Sequence, residues 1–118
     1  MSTEKPDHAE DILAARAAAR QARRERDQEI LRMHARAVAA LRDPATAEAA
    51  SAEALSTLRY WEDRGMSNAE NIAAWREILA MTDTEAAARA ILEDSEDGSL
   101  RRQNTPFGPL AFSFKRQG

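Results

Sequence analysis

A chain of 118 residues has room for one small domain plus an appendage, since typical domains span about 100 to 150 residues. Of its hydrophobic residues 26 are alanine, and Ile, Leu, Val and Phe together supply only 18, so a thick core is excluded and a thin helical one is expected. With a net charge of −3 and no cysteine, the composition excludes strong charge-driven disorder, disulfides, thiol chemistry and the usual zinc frameworks.

The small net charge hides a segregation along the chain. Residues 1–15 carry −3, residues 16–42 carry +5, residues 43–97 carry −9 and residues 98–118 carry +4, so an acidic middle lies between basic arms. The opening "MSTEKPDHAEDILAARAAAR" lacks the apolar region of a secretory signal, and no stretch approaches the roughly 20 apolar residues that cross a bilayer. A cytoplasmic chain with no membrane partner is expected.

In chain order, "DHAE" spaces Asp7 and Glu10 as a capping box just after Pro6, which predicts a helix from near residue 8. It runs to Arg42, where Asp43 offers the next N-cap and Pro44 a first helical residue. At 1.5 Å per residue this first helix is about 50 Å long, roughly twice the diameter of the domain it serves, so much of it protrudes. Ile30, Met33, Ala37 and Leu41, helped by Val38, form its apolar face, whereas residues 14–29 hold no apolar side chain larger than alanine. Only the second half should pack on the core, and Arg23 and Arg26 at inner heptad positions argue against a continuous coiled coil.

A second helix is predicted from Pro44 to Arg64, with Leu55, Leu58 and Trp61 as its stripe and Gly65 as terminator. A third, over 68–81, follows a Ser67/Glu70 capping box and presents Ile72, Trp75, Ile78 and Leu79. A fourth follows a Thr82/Glu85 box to about Glu93, with Ile91 and Leu92 inward. Beyond "EDSEDGS", Leu110, Phe112 and Phe114 alternate with Ala111, Ser113 and Lys115 in a strand-like period of two, and Pro106 and Pro109 favour extended backbone. The expected architecture is all-α: a basic helical arm (1–29), a small helical bundle (30–97) and an extended interaction tail (98–118).

That tail holds every phenylalanine of the chain, and it is the leading candidate for partner binding. An extended segment can pair through its backbone while alternate aromatic side chains fill pockets. Leu100, Phe107, Leu110, Phe112 and Phe114 are the expected anchors, with Arg101, Arg102, Lys115 and Arg116 orienting an acidic partner. A tail folded back onto a thin core would use the same residues. The arginine-rich helix is the alternative surface: Arg16, Arg20, Arg23 and Arg24 could neutralise nucleic-acid phosphates, although Glu25, Asp27 and Glu29 interrupt the run and no aromatic residue is interleaved for base stacking.

Two segments resemble known families. "LRYWEDRGM" resembles the turn before the wing of MerR-type regulators through Leu58, Arg59, Tyr60, Trp61, Glu62 and Gly65, which implies DNA binding. No glycine-bearing helix-turn-helix turn precedes it and "SNAE" opens another helix where that family has its wing, so an amphipathic helix end is the preferred reading. The stretch from "WREILAM" to "ILEDSEDGSLRRQNTPF" resembles the C-terminal signature of small bacterial antitoxin-type proteins. The match runs through Trp75, Ile78, Leu79, Leu92, Asp94, Ser95, Glu96, Gly98, Leu100, and Arg102 to Phe107. That resemblance implies binding to a partner protein without identifying it; the leading expectation is an antitoxin or inhibitor that covers a toxin or an enzyme by occlusion, and a phage or plasmid accessory protein that inhibits a host complex would act in the same way. Nucleic acid and a second copy of the chain stay open as partners.

Catalysis has little support in these residues. His8 and His34 lie on separate turns with no ligand spacing, His34 beside Met33 reads as a boundary residue, and "EDSEDGS" lacks the glycine position and the terminal glutamate of a calcium loop. No catalytic residue, metal site or cofactor is expected, and the chain reads as a non-enzyme.

Overall fold

Thr46 shows how local chemistry meets the helix boundary. Its hydroxyl donates back to the Ala40 carbonyl (2.7 Å) and makes no cap bond to the helix that follows, while Asp43 Oδ1 accepts from the Ala45 amide (2.9 Å). The expected second helix starts at Ala47 and not at Pro44, with Thr46 at the N-cap position. The structure, a computed structural model, describes the backbone of residues 4–108 and the side chains of residues 8–108. Within them the chain is all-α, with helices α1 (Glu4–Arg42), α2 (Ala47–Arg64), α3 (Ala69–Leu79), α4 (Thr84–Ile91) and α5 (Glu96–Gln103).

α1 is a single 39-residue helix, about 58 Å long at 1.5 Å per residue, built from alanine, arginine, glutamine and glutamate, all strong helix formers. α2 ends as expected at Gly65, whose φ of +65° is open to glycine without strain. Its amide donates to Glu62 O and the Met66 amide to Trp61 O (2.8 Å), which satisfies two terminal carbonyls. Of the three predicted capping boxes, Asp7/Glu10 falls inside α1, which already runs from Glu4 and not from near residue 8, and the other two are each displaced by one residue. Asn68, not Ser67, caps α3 by accepting from the Asn71 amide (2.7 Å), and Asp83, not Thr82, caps α4 by accepting from Glu85 and Ala86.

The fifth helix corrects the expectation of an extended segment from residue 98. Ser95 caps it by accepting from the Gly98 amide (2.9 Å); Glu96 and Asp97 sit in its first turn and Arg101 and Arg102 in its last, matching the helix dipole. Gly98 is required by close approach, because a Cβ there would stand 2.3 Å from the Glu93 carbonyl oxygen. The bundle consequently extends to Phe107, ten residues past the predicted boundary at 97.

α1 packs against α2, α4 and α5, while α3 packs against α2 and α4. The core consists of Ala37, Val38, Ala40, Ala50, Ala54, Leu58, Ile72, Trp75, Ile78, Ala87, Ala88, Ile91 and Phe107. Six of the thirteen are alanines, so the helices approach closely and the few large side chains carry most of the apolar burial. Leu58 is fully buried as predicted; Leu55, predicted for the same stripe, is 36% exposed.

Candidate interaction surface

Phe107 was expected to anchor a partner. It is 1% exposed, with its ring edge-on to Trp75 at 5.6 Å and to His34 at 6.2 Å between centroids. His34 in turn stacks on Trp75 at 6.1 Å and is 1% exposed, so it is a core histidine and not a boundary residue. Three rings from α1, α3 and the segment after α5 thus pack into one buried cluster.

The polar atoms of this cluster form one directed chain. The Ile30 carbonyl can only accept, so His34 Nδ1 donates to it (2.7 Å), and His34 Nε2 accepts from the Thr105 hydroxyl (2.8 Å). Thr105 Oγ1 also accepts from the Phe107 amide (3.0 Å). Burial lowers the pKa of His34 below 6.5, and the Arg102 charge adds to the effect against the opposing Ile30 hydrogen bond. The neutral imidazole that results suits its place between two rings. Trp75 Nε1 donates to Arg101 O (3.2 Å) and Asn71 Nδ2 to Asn104 O (3.0 Å), so the backbone from 101 to 107 is fastened at several points.

Arg102 is also taken from the expected partner surface. It is 8% exposed and its Nη1 donates to Ile91 O (3.0 Å) and Glu93 O (2.9 Å), the carbonyls that end α4. Burial, then the Arg101 charge, lower its pKa from the usual arginine value, while Asp94, Asp27 and Glu93 oppose the shift. Arg101 Nη2 reaches Ala90 O (3.4 Å) and Glu93 Oε1 (3.5 Å), so it too serves the C-terminus of α4. Leu100 alone of the described tail residues offers a large apolar surface, 55% exposed. Leu110, Phe112, Phe114, Lys115 and Arg116 lie outside the described residues.

The "LRYWEDRG" segment is the end of α2. Arg64 lies over the Tyr60 ring (4.7 Å), Glu62 is paired with Arg76 of α3 (2.8 Å), and α3 opens four residues after Gly65, so these residues join two helices of the bundle. An open pocket of about 490 Å³ lies beside this turn, lined by Trp61, Met66, Ile72 and Ala73.

Arg16, Arg20, Arg23 and Arg24 are all exposed on the part of α1 that extends beyond the bundle, where Ile12 is 40% and Leu13 63% exposed. Arg24 Nη2 donates to Gln21 on the same helix (3.0 Å). Among the described residues no cluster of three His, Cys, Asp or Glu side chains is placed to hold a metal, and no helix is long and apolar enough to cross a membrane. No family model matches this chain, and neither a curated protein nor a solved structure matches it.

Proposed function

We propose that the chain is a non-catalytic interaction protein of antitoxin or inhibitor type, acting in a bacterial cytoplasm by covering part of a partner protein. The observation that carries this reading is the fastening of residues 101–107 by Trp75, Asn71 and His34, which supports a rigid base for the segment that follows. That segment is rich in Phe and basic residues and holds no acid, so Leu110, Phe112 and Phe114 would anchor while Lys115 and Arg116 orient. Leu100, exposed on α5, would extend the contact. Phe107 and Arg102 serve the fold and not the partner.

The test is capture of proteins from the native host by the full chain and by a chain ending at Gly108, which keeps the whole bundle. The reading expects partners held by the full chain and lost by the shortened one; equal capture by both would remove the segment from the contact. A DNA-binding regulator is the second reading, supported by the exposure of Arg16, Arg20, Arg23 and Arg24. It requires retention on duplex DNA that weakens steeply with salt.

A further inference from the structure

An α-helix completes five turns in 18 residues, so residues 18 apart occupy the same angular position, about 27 Å apart along the axis. On α1 this places Ile12, Arg16, Ala19, Arg20 and Arg23 in line with Ile30, His34, Ala37, Val38 and Leu41. The second set faces the bundle: His34, Ala37 and Val38 are buried, and Leu41 and Ile30 partly so. The first set is the same face of the same helix carried past the bundle, and every member of it is exposed.

A complementary face exists on the same molecule. α3 buries Ile72, Trp75 and Ile78 against the bundle and turns Glu70, Ala73 and Glu77 outward, with half-buried Ala74 beside them and Met81, 37% exposed, just past its end. Arg16 and Arg23 are seven residues apart, as are Glu70 and Glu77, a rise of about 10.5 Å on each helix. Laid antiparallel, the two faces pair Arg16 with Glu77, Arg23 with Glu70, Ala19 with Ala74 and Ile12 with Met81. Opposite charges meet at both ends and small residues meet between them. Beside Met81 a groove of about 190 Å³ between α3, α4 and α5, which Ala74 and Glu77 also line, offers room for the Ile12 side chain.

The chain cannot make this contact with itself. Trp75 of α3 stacks on His34, and Arg16 lies five turns beyond His34 on a continuous helix. Two arms cannot pair through this face either, because Arg16, Arg20 and Arg23 of one would meet the same arginines of the other. Among the described residues, neither the three arginines nor Glu70 and Glu77 form an ion pair. We infer that the occupant is a second copy of the chain, its α3 lying on the residue 12–23 face of the first while the first returns the contact. The result is a closed two-fold dimer in which each arm clasps the other's bundle. This inference stands apart from the occlusion reading, which places its partner on Leu100 and on residues beyond 108 and uses neither the 12–23 face nor α3.

Sedimentation of the full chain over a range of concentrations tests it. A monomer–dimer equilibrium is expected, shifted toward monomer by salt, since the pairs are exposed and screened. Arg16→Glu with Arg23→Glu, and separately Glu70→Arg with Glu77→Arg, should each weaken the dimer about tenfold or more while leaving helical circular dichroism intact. Mixing the two variants restores opposite charges in both contacts and should restore the dimer. The chain contains no cysteine, so Ala19→Cys with Ala74→Cys gives a clean second readout, an intermolecular disulfide under mild oxidation. A chain monomeric at every concentration, variants that dimerise as the parent does, a mixture that stays monomeric, or arginine-dependent retention on duplex DNA by a monomer would each overturn the inference.

Discussion

The two halves of α1 share one helix and one angular register yet meet different surroundings. Residues 30–41 place His34, Ala37 and Val38 against α2, α4 and the segment after α5, and all three are at most 1% exposed. Residues 12–23 keep Ile12 and Ala19 at the matching positions but replace His34, Val38 and Leu41 by arginine, and all of them but Ala22 are exposed. Helix propensity is met equally in both halves, so it does not decide what either half does. The bundle half is held by tertiary burial, and the arm half has its face free for a contact outside the chain.

Several substitutions would break or sharpen this contrast. Phe107→Ala removes the largest side chain that the returning segment contributes to the bundle half and should cost about 3–5 kcal/mol in urea unfolding. Little change in the midpoint would mean that the ring cluster does not hold α1. Gly98→Ala forces a methyl group against the Glu93 carbonyl and should cost about 1–3 kcal/mol, read as a lower melting temperature.

A pH scan separates the halves chemically. The unfolded chain protonates His34 near 6.5, whereas the folded chain resists protonation to lower pH. The stability tied to the neutral ring is therefore complete above 6.5 and is lost progressively as pH falls toward the lowered folded value. Urea midpoints between pH 7 and 5 should decline in the parent and flatten in His34→Gln; an equal decline in both would assign the effect elsewhere. The smallest change is expected on the arm, where Arg16→Ala in dilute protein should shift stability by no more than about 0.5 kcal/mol.

Much of this fold was readable from residue spacing. The stripes of α2, α3 and α4 carried Leu58, Trp61, Ile72, Trp75, Ile78 and Ile91 inward as their periods required. The caps slipped by one residue because Ser67–Asn68 and Thr82–Asp83 each put two acceptors side by side, and backbone geometry chose between them. α5 escaped notice for a different reason. It is eight residues long with a glycine in its first turn, and it is stabilised by contacts with α4 through Gly98 and Arg102 that no local pattern reveals. Its dipole-matched charges, Glu96 and Asp97 before Arg101 and Arg102, were the available signal.

His34 is hidden from local pattern for the same reason as α5. A lone histidine at the edge of a helix's apolar face becomes a core residue only when Thr105 and Phe107 return to cover it. The exposed arginines were legible as a basic arm from composition alone. Their alignment with the buried face was not, because the 18-residue repeat has meaning only once the inner face of residues 30–41 is known.

Amide hydrogen exchange along α1, followed in dilute and in concentrated protein, tests the contrast most directly. Residues 30–41 should be protected at both concentrations, and residues 12–23 should exchange freely when dilute and gain protection as the protein is concentrated. An arm already protected in dilute protein, or one that exchanges freely at every concentration, would contradict the division of α1 between its own bundle and a second copy.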